Sequence, residues 1–294
     1  MENLDVENFV KEIPRSVEEN NNFRGRLNLL CESNLGFRKK FLDLCSKSPQ
    51  VMFDVLYWAF NPLEIVDKRL LPFILRPKQI VVLNELNWCI DNQHDFGIEK
   101  SRYEGATELV KTLVWKCIFN RDCTFIVGSL KKEDVDNRPD TTTIFAKIDN
   151  ALALLPKWFN VECERKDMLI YFPQTNSTII GETTNENFGA SKRATAVWLD
   201  EFGRLPPKIA ESVEGTVRDV SSCIVYCSTH WFGTNHPFNL AINKDTTKHC
   251  TLFWWENPEK TKFLYSSPKE GFVELLDIES YRQTYPELIE KYVN

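Results

Sequence analysis

Apolar residues recur at three-to-four spacing through residues 5 to 60, in "VENFVKEI", "FRGRLNLLCES" and "FRKKFLDLCSKSPQVMFDVLYWAF", which predicts a series of short helices. The stretch "NPLEIVDKRLLPFILRPKQ" that follows has the proline density of a connector. From Lys78 onward the pattern changes. "QIVVLNELNWCI" predicts an amphipathic helix and "DFGIEKS" a short strand. After Gly105 comes a helix with Leu109, Val110, Leu113, Val114, Cys117 and Ile118 at its apolar positions. "CTFIVGS" reads as a buried strand and "TTIFAKIDNALALL" as a helix beyond a polar loop. "MLIYF" and "TIIG", joined by "PQTNS", predict a hairpin; "ATAVWLDEF" and "SSCIVYCST" predict two further strands. Strands alternating with helices imply an α/β fold, a mainly parallel doubly wound sheet flanked by helices, with ligands at the carboxyl ends of the strands. The expected organisation is an N-terminal helical segment over 1–60, the α/β domain over 61–258 and a C-terminal subdomain or linker over 259–294.

Composition narrows the function. The 294 residues are 43% hydrophobic and 12% aromatic, enough for a sizeable core, and no apolar run approaches the roughly 18 residues of a membrane span. The acidic, polar start "MENLDVENFVKEIPRSVEENNN" predicts no secretory signal. A net charge of −6 argues against coating nucleic acid by nonspecific attraction, so any DNA contact is expected to be local. The densest basic cluster, "FRKK" at 37 to 40, reads as a solvated helix face. Nine cysteines lie singly, without zinc-site spacing, and read as buried thiols; Cys223 and Cys227 fall on one side of one strand. The odd count points to a reducing, intracellular setting.

The candidate chemistry starts in "EKSRYEGATELVKTL", residues 99 to 113. It follows a strand and opens a helix, the setting of a phosphate-binding loop, with Gly105 at the loop's sixth position and Thr107 at its hydroxyl. Ala106 stands where a lysine is expected, so the cation against the β- and γ-phosphates must come from elsewhere; Lys100 and Arg102 are both inside the loop. Backbone N–H groups at the helix start hold phosphate whatever the side chains are. About one hundred residues on, "ATAVWLDEFGR" ends a buried strand in Asp200 and Glu201. Such carboxylates suit Mg²⁺ binding at Asp200 and polarisation of the attacking water by Glu201. "IVYCSTHWFGTNHPF" then places Ser228 and Thr229 at a strand end, where small hydroxyls sense hydrolysis; His230 and His236 read as loop residues without a metal.

The succession "LPFILRPKQ", "EKSRYEGAT", "VGSLKKEDVDN", "VWLDEFG" and "CSTHWFGTNHPF" resembles the ATPase domain of large terminase subunits, the DNA-packaging motors of tailed bacteriophages, over about residues 60 to 260. The resemblance implies an ASCE-type P-loop NTPase fold, with ATP and Mg²⁺ bound and hydrolysis driving double-stranded DNA into a procapsid. It assigns Gln79 to reading adenine, and Lys100, Ser101, Arg102, Gly105, Ala106 and Thr107 to the nucleotide. Asp200 and Thr107 become metal ligands and Glu201 the catalytic glutamate. Ser228, Thr229 and Asn235 match the motif that couples hydrolysis to movement, although "STHWFG" departs from the family's "STPNG". "NFGASKRA" resembles the segment that presents an arginine to a neighbouring subunit, with Arg193 as the candidate finger and Lys192 the alternative. The implied partners are double-stranded DNA, the portal and procapsid, a small terminase subunit and further copies in a ring, the isolated chain being monomeric. The implied location is the host-cell cytoplasm, docked transiently on the procapsid, with no membrane. The stretch after "LFWWENPEK" is shorter than the family's nuclease domain and reads as a hairpin and one helix, so no nuclease activity is expected from this chain. The expectation is the ATPase part of a longer protein, with a nuclease on a second polypeptide as the alternative. Two other functions stay open: a helicase-like ATPase, and a module that binds ATP to order a ring without turning it over.

Overall fold

The computed structural model describes residues 6–61, 64–65, 69–261, 265–269 and 272–275. Four helices open the chain: α1 (Val6–Lys11), α2 (Val17–Ser33), α3 (Leu35–Lys47) and α4 (Pro49–Val55). Capping sets their boundaries: Ser16 accepts the Glu19 N–H and Asn34 the Phe37 N–H, each at a helix start. In the basic cluster Phe37 is buried while Lys39 and Lys40 are exposed.

The helical reading fails at its end. Trp58–Phe60 is a strand, β1, paired antiparallel with β2 (Leu70–Pro72) inside the stretch read as a connector. Helical spacing through "LYWAF" competed with the strand preference of its aromatics, and the cross-strand partner decided it. α5 (Pro77–Asn92) then leads into β3 (Asp95–Lys100). A 3₁₀ turn over Ala106–Val110 runs directly into α6 (Lys111–Phe119). The remaining elements are β4 (Thr124–Ser129), α7 (Lys132–Val135), α8 (Ile144–Ala153), β5 (Glu164–Lys166), β6 (Leu169–Phe172), β7 (Ser177–Thr183), β8 (Ala196–Asp200), α9 (Pro207–Val220), β9 (Ile224–Ser228), α10 (Pro237–Ile242), β10 (Thr247–Leu252) and α11 (Pro258–Thr261). A hairpin of β11 (Tyr265–Lys269) and β12 (Phe272–Leu275) follows; the helix expected beyond it lies outside the described residues.

Eight strands form one mixed, mainly parallel sheet in the order β10-β3-β9-β8-β4-β7-β6-β5, antiparallel only at β6 and β5. One strand, β9, separates β3, which leads into the turn at Gly105, from β8, which ends in Asp200. Strands β5 and β10 were not legible in the hydropathy: both lie at sheet edges, where one side needs no apolar partner. The period of two sorts β8 and β9 between the sheet's faces. Ala196, Trp198, Val225 and Cys227 join a large cluster with the N-terminal helices, α5, α6 and α8. Val197, Leu199, Ile224 and Tyr226 join a smaller one with α9 and α10. Cys223 and Cys227 are both fully buried in the first cluster, and all nine cysteines are free thiols, seven of them buried. No helix among the described residues is long and apolar enough to cross a membrane.

Candidate active site

The loop after β3 turns at Gly105, whose φ of +69° is left-handed backbone that glycine adopts without a Cβ penalty. The helical run that starts at Ala106 leaves its first N–H groups without carbonyl partners one turn back, facing the loop. Lys100 ends β3 and Asp200 ends β8, so both reach the same edge of the sheet. Thr107 donates from Oγ1 toward the two Asp200 oxygens at 3.3 and 3.2 Å. Glu201 follows in left-handed backbone, φ 54°, unusual for a side chain of its size. Its N–H bonds the Cys227 carbonyl at 2.7 Å, which pins the turn to β9. The Lys100 ammonium donates to Glu201 Oε1 at 2.8 Å.

Burial sets the electrostatics. It works to lower the Lys100 pKa, but the Asp200 and Glu201 charges outweigh it and hold the ammonium above its ordinary value. Burial pushes the Asp200 carboxyl up, against the pull of Lys100. Lys111, one turn into the helix, is fully buried and bonds Glu108 and the Trp58 carbonyl; burial lowers its pKa. That lysine is structural and does not replace the one absent at Ala106.

A cavity of about 360 Å³ opens over the loop, lined among others by Lys100, Arg102, Gly105, Thr107, Glu201 and Thr229. A second, of about 260 Å³, adjoins it on the other side of Thr107 and Asp200. Hydroxyl and carboxylate oxygens are the donors Mg²⁺ takes, with phosphate and water completing its shell, so Thr107 and Asp200 fit that ion. Among the described residues no cluster of three His, Cys, Asp or Glu side chains suits a metal held by protein alone.

Other residues singled out in the sequence lie elsewhere. Gln79 is buried beneath the loop: its Nε2 donates to the Glu104 carbonyl at 2.9 Å and its Oε1 accepts the Arg76 N–H at 2.9 Å. It clamps the loop and does not line the cavity. The Ser101 N–H joins the Leu252 carbonyl at 3.0 Å. Ser228 is fully buried, its Oγ accepting the Gly203 N–H at 2.9 Å, which ties the β9 end to the turn after Glu201. Asn235 is exposed, outside both cavities. Arg193 is also exposed, just before Ala194 and Thr195, which bond Val220 and Thr124 at the amino end of β8. Six residues lie between it and Asp200, which ends the same strand, so its backbone stands roughly 20 Å from that carboxylate. Lys192 is held by Glu182.

The sequence reading missed the roles of five residues. Glu104, nearly fully buried, pairs with Arg76 at 2.9 Å and with Lys260, anchoring the loop. Glu99 receives His230 at 3.0 Å and His249 at 3.3 Å. His236 caps α10 through Nδ1, while its Nε2–H donates to the Leu205 carbonyl at 2.9 Å. Lys147 and Arg204 line both cavities. Arg204 stood three residues past Glu201 in a segment already under attention, and Lys147 is the single cation of α8; both were signals that could have been read.

No protein-family model and no curated protein matches this chain. Among solved structures it is similar to the HK97 bacteriophage large terminase, with 15% identity over 81% of this chain and 47% of that one and a TM-score of 0.49. It is similar to the large terminase of a thermophilic bacteriophage in complex with ADP, with 12% identity over 63% of this chain and 50% of that one and a TM-score of 0.45. The ATPase domain of the Thermus phage P74-26 large terminase matches at 14% identity over 73% of this chain and 95% of that one, with a TM-score of 0.43. The chain spans about half the length of the first two of these proteins.

Proposed function

We propose that this chain hydrolyses ATP as the motor domain of a phage DNA-packaging terminase, driving double-stranded DNA into a procapsid. The observation that carries the hydrolase reading is the convergence of Lys100, Thr107 and Glu201 on one cavity at the carboxyl ends of β3 and β8, with Asp200 bonded to Thr107 and lining the adjoining cavity. The packaging role rests on the order of the motifs around that site and on the β9 end, where Ser228 bonds the turn behind Glu201.

The loop's backbone N–H groups and Lys100 bind the phosphates, and Thr107 with Asp200 would hold Mg²⁺. When bound, that ion shields the phosphate charge and draws the reacting oxygens into place. An incoming triphosphate competes with Glu201 for Lys100. The freed carboxylate, on a turn fixed by the Cys227 carbonyl, takes a proton from the attacking water. Loss of charge on the far side alters what Thr229 faces, and Ser228 carries that change to Gly203. Arg193 sits too far from its own site to act there and is available to a neighbour's, which calls for a ring. DNA, the portal and a small subunit are the partners of that ring.

The test is steady-state ATP hydrolysis against protein concentration for wild type, Glu201→Gln and Arg193→Ala. Activity per subunit that rises with concentration and vanishes in both variants is the expected result. Loss in Glu201→Gln alone removes the trans arginine and keeps the motor. Tight ATP binding with no hydrolysis in assembled rings replaces the motor with a nucleotide-gated assembly module.

A further inference from the structure

We propose that Lys147 supplies the positive charge on the γ-phosphate that Ala106 leaves out of the loop. This rests on the phosphate-site reading above and names a residue outside the loop. The two adjoining cavities share four lining residues: Thr107, Glu201, Lys147 and Arg204. Their common boundary lies between the hydroxyl suited to the metal and the carboxylate suited to the water, which is where a transferred phosphoryl group must sit.

Among the other cations around the loop, Lys111 is held by Glu108, and Arg76 and Lys260 by Glu104. Lys100, which a bound nucleotide draws from Glu201 on the reading above, lines the first cavity but not the second. Arg102 is exposed, with its guanidinium 5.9 Å from the Trp231 ring centre. Lys147 differs: its ammonium donates only to the backbone carbonyls of Thr142 and Thr143, and among the described residues no carboxylate pairs with it. It lines the second cavity together with Asp200. Its backbone is rigid, since Thr143 caps α8 and Ile144, Phe145, Ile148 and Ala151 bury the opposite face. Arg204 is the weaker candidate, because it is exposed and stacked 4.8 Å over the Trp231 ring.

A charge aimed at the third phosphate distinguishes triphosphate from diphosphate, and binding reads that without turnover. Isothermal titration of the full chain with Mg²⁺ plus either ADP or a non-hydrolysable ATP analogue is compared for wild type, Lys147→Ala and Lys147→Arg. Lys147→Ala is expected to weaken the analogue about tenfold or more, the scale of one charge-assisted contact, while ADP affinity changes less than about twofold. Lys147→Arg is expected to restore most of the loss. Equal weakening of both nucleotides assigns Lys147 to the packing of α8 and overturns the proposal, as does no change in either. Wild type that binds neither nucleotide removes the phosphate site itself, a failure distinct from that of Lys147.

Discussion

Strand β3 carries a charge at each end, and the two ends are finished differently. At the amino end Asp95 is almost wholly buried, accepts the Ile224 N–H at 2.9 Å and pairs with Arg218. Arg218 also binds Glu214 at 2.8 Å and the Tyr226 hydroxyl at 2.7 Å, and Lys244 adds a further contact to Glu214 at 3.1 Å. At the carboxyl end Lys100 has one carboxylate hydrogen-bond partner, Glu201, which is a quarter exposed beside an open cavity. A network in which every group has several fixed partners resists rearrangement. A pair in which each charge has one partner, next to space for an anion, exchanges that partner readily. The first design holds the sheet together; the second leaves the sheet's active edge able to respond.

The sharpest way to separate the two ends is Glu201→Gln. Hydrolysis is expected to fall by about a hundredfold to ten-thousandfold, the range for loss of a general base, with nucleotide binding retained; unchanged turnover would remove Glu201 from the chemistry. At the far end, Asp95→Ala leaves the Ile224 N–H and Arg218 short of a partner. It is expected to cost about 2 kcal/mol of folding stability in urea denaturation while nucleotide affinity stays as it was. A drop in affinity there would mean that the two ends are coupled through β3.

Lys100→Met is expected to do the reverse: about a tenfold weaker affinity for ATP, with a smaller stability change than Asp95→Ala, because Glu201 is a quarter exposed and water can take up its charge. A large stability loss would place Lys100 with the structural network. The smallest effect concerns acidification. Burial lowers the His249 pKa, against the upward pull of Glu99, with His230 adding to the lowering. A histidine held neutral in the folded state contributes stability that is complete above its unfolded pKa of about 6.5 and is lost as pH falls through the lower folded value. His249→Gln is therefore expected to flatten the acid side of the stability profile, read by thermal melts across that window; an unchanged slope removes His249 as a contributor.

Much of the site edge was legible beforehand because its signals are local. A strand that ends in Lys100, a glycine turn and a helix start are read within a dozen residues, and so is a strand that ends in Asp200 and Glu201. The paired hydroxyls after "CIVYC" belong to the same class. Gln79 shows the limit: its place at a helix start was clear, but its amide proved to hold the loop's Glu104 carbonyl. The partner network of Asp95 was invisible because Arg218 lies 123 positions away. The β1–β2 hairpin was missed for a related reason, since its strands are short and each supports the other only once paired.

The sequence by itself determined the alternation of elements, the loop and the two carboxylates, because hydrophobic period and strand-end chemistry depend on near neighbours along the chain. Tertiary structure decided which charges meet. Strand order puts β9 between β3 and β8, and so sets Lys100 against Glu201 across 101 positions. The packing of α8 brings Lys147 to Thr107, and the turn after β8 brings Arg204 to the same boundary. Coulomb interactions act through space and fall with distance, so no spacing along the chain announces them.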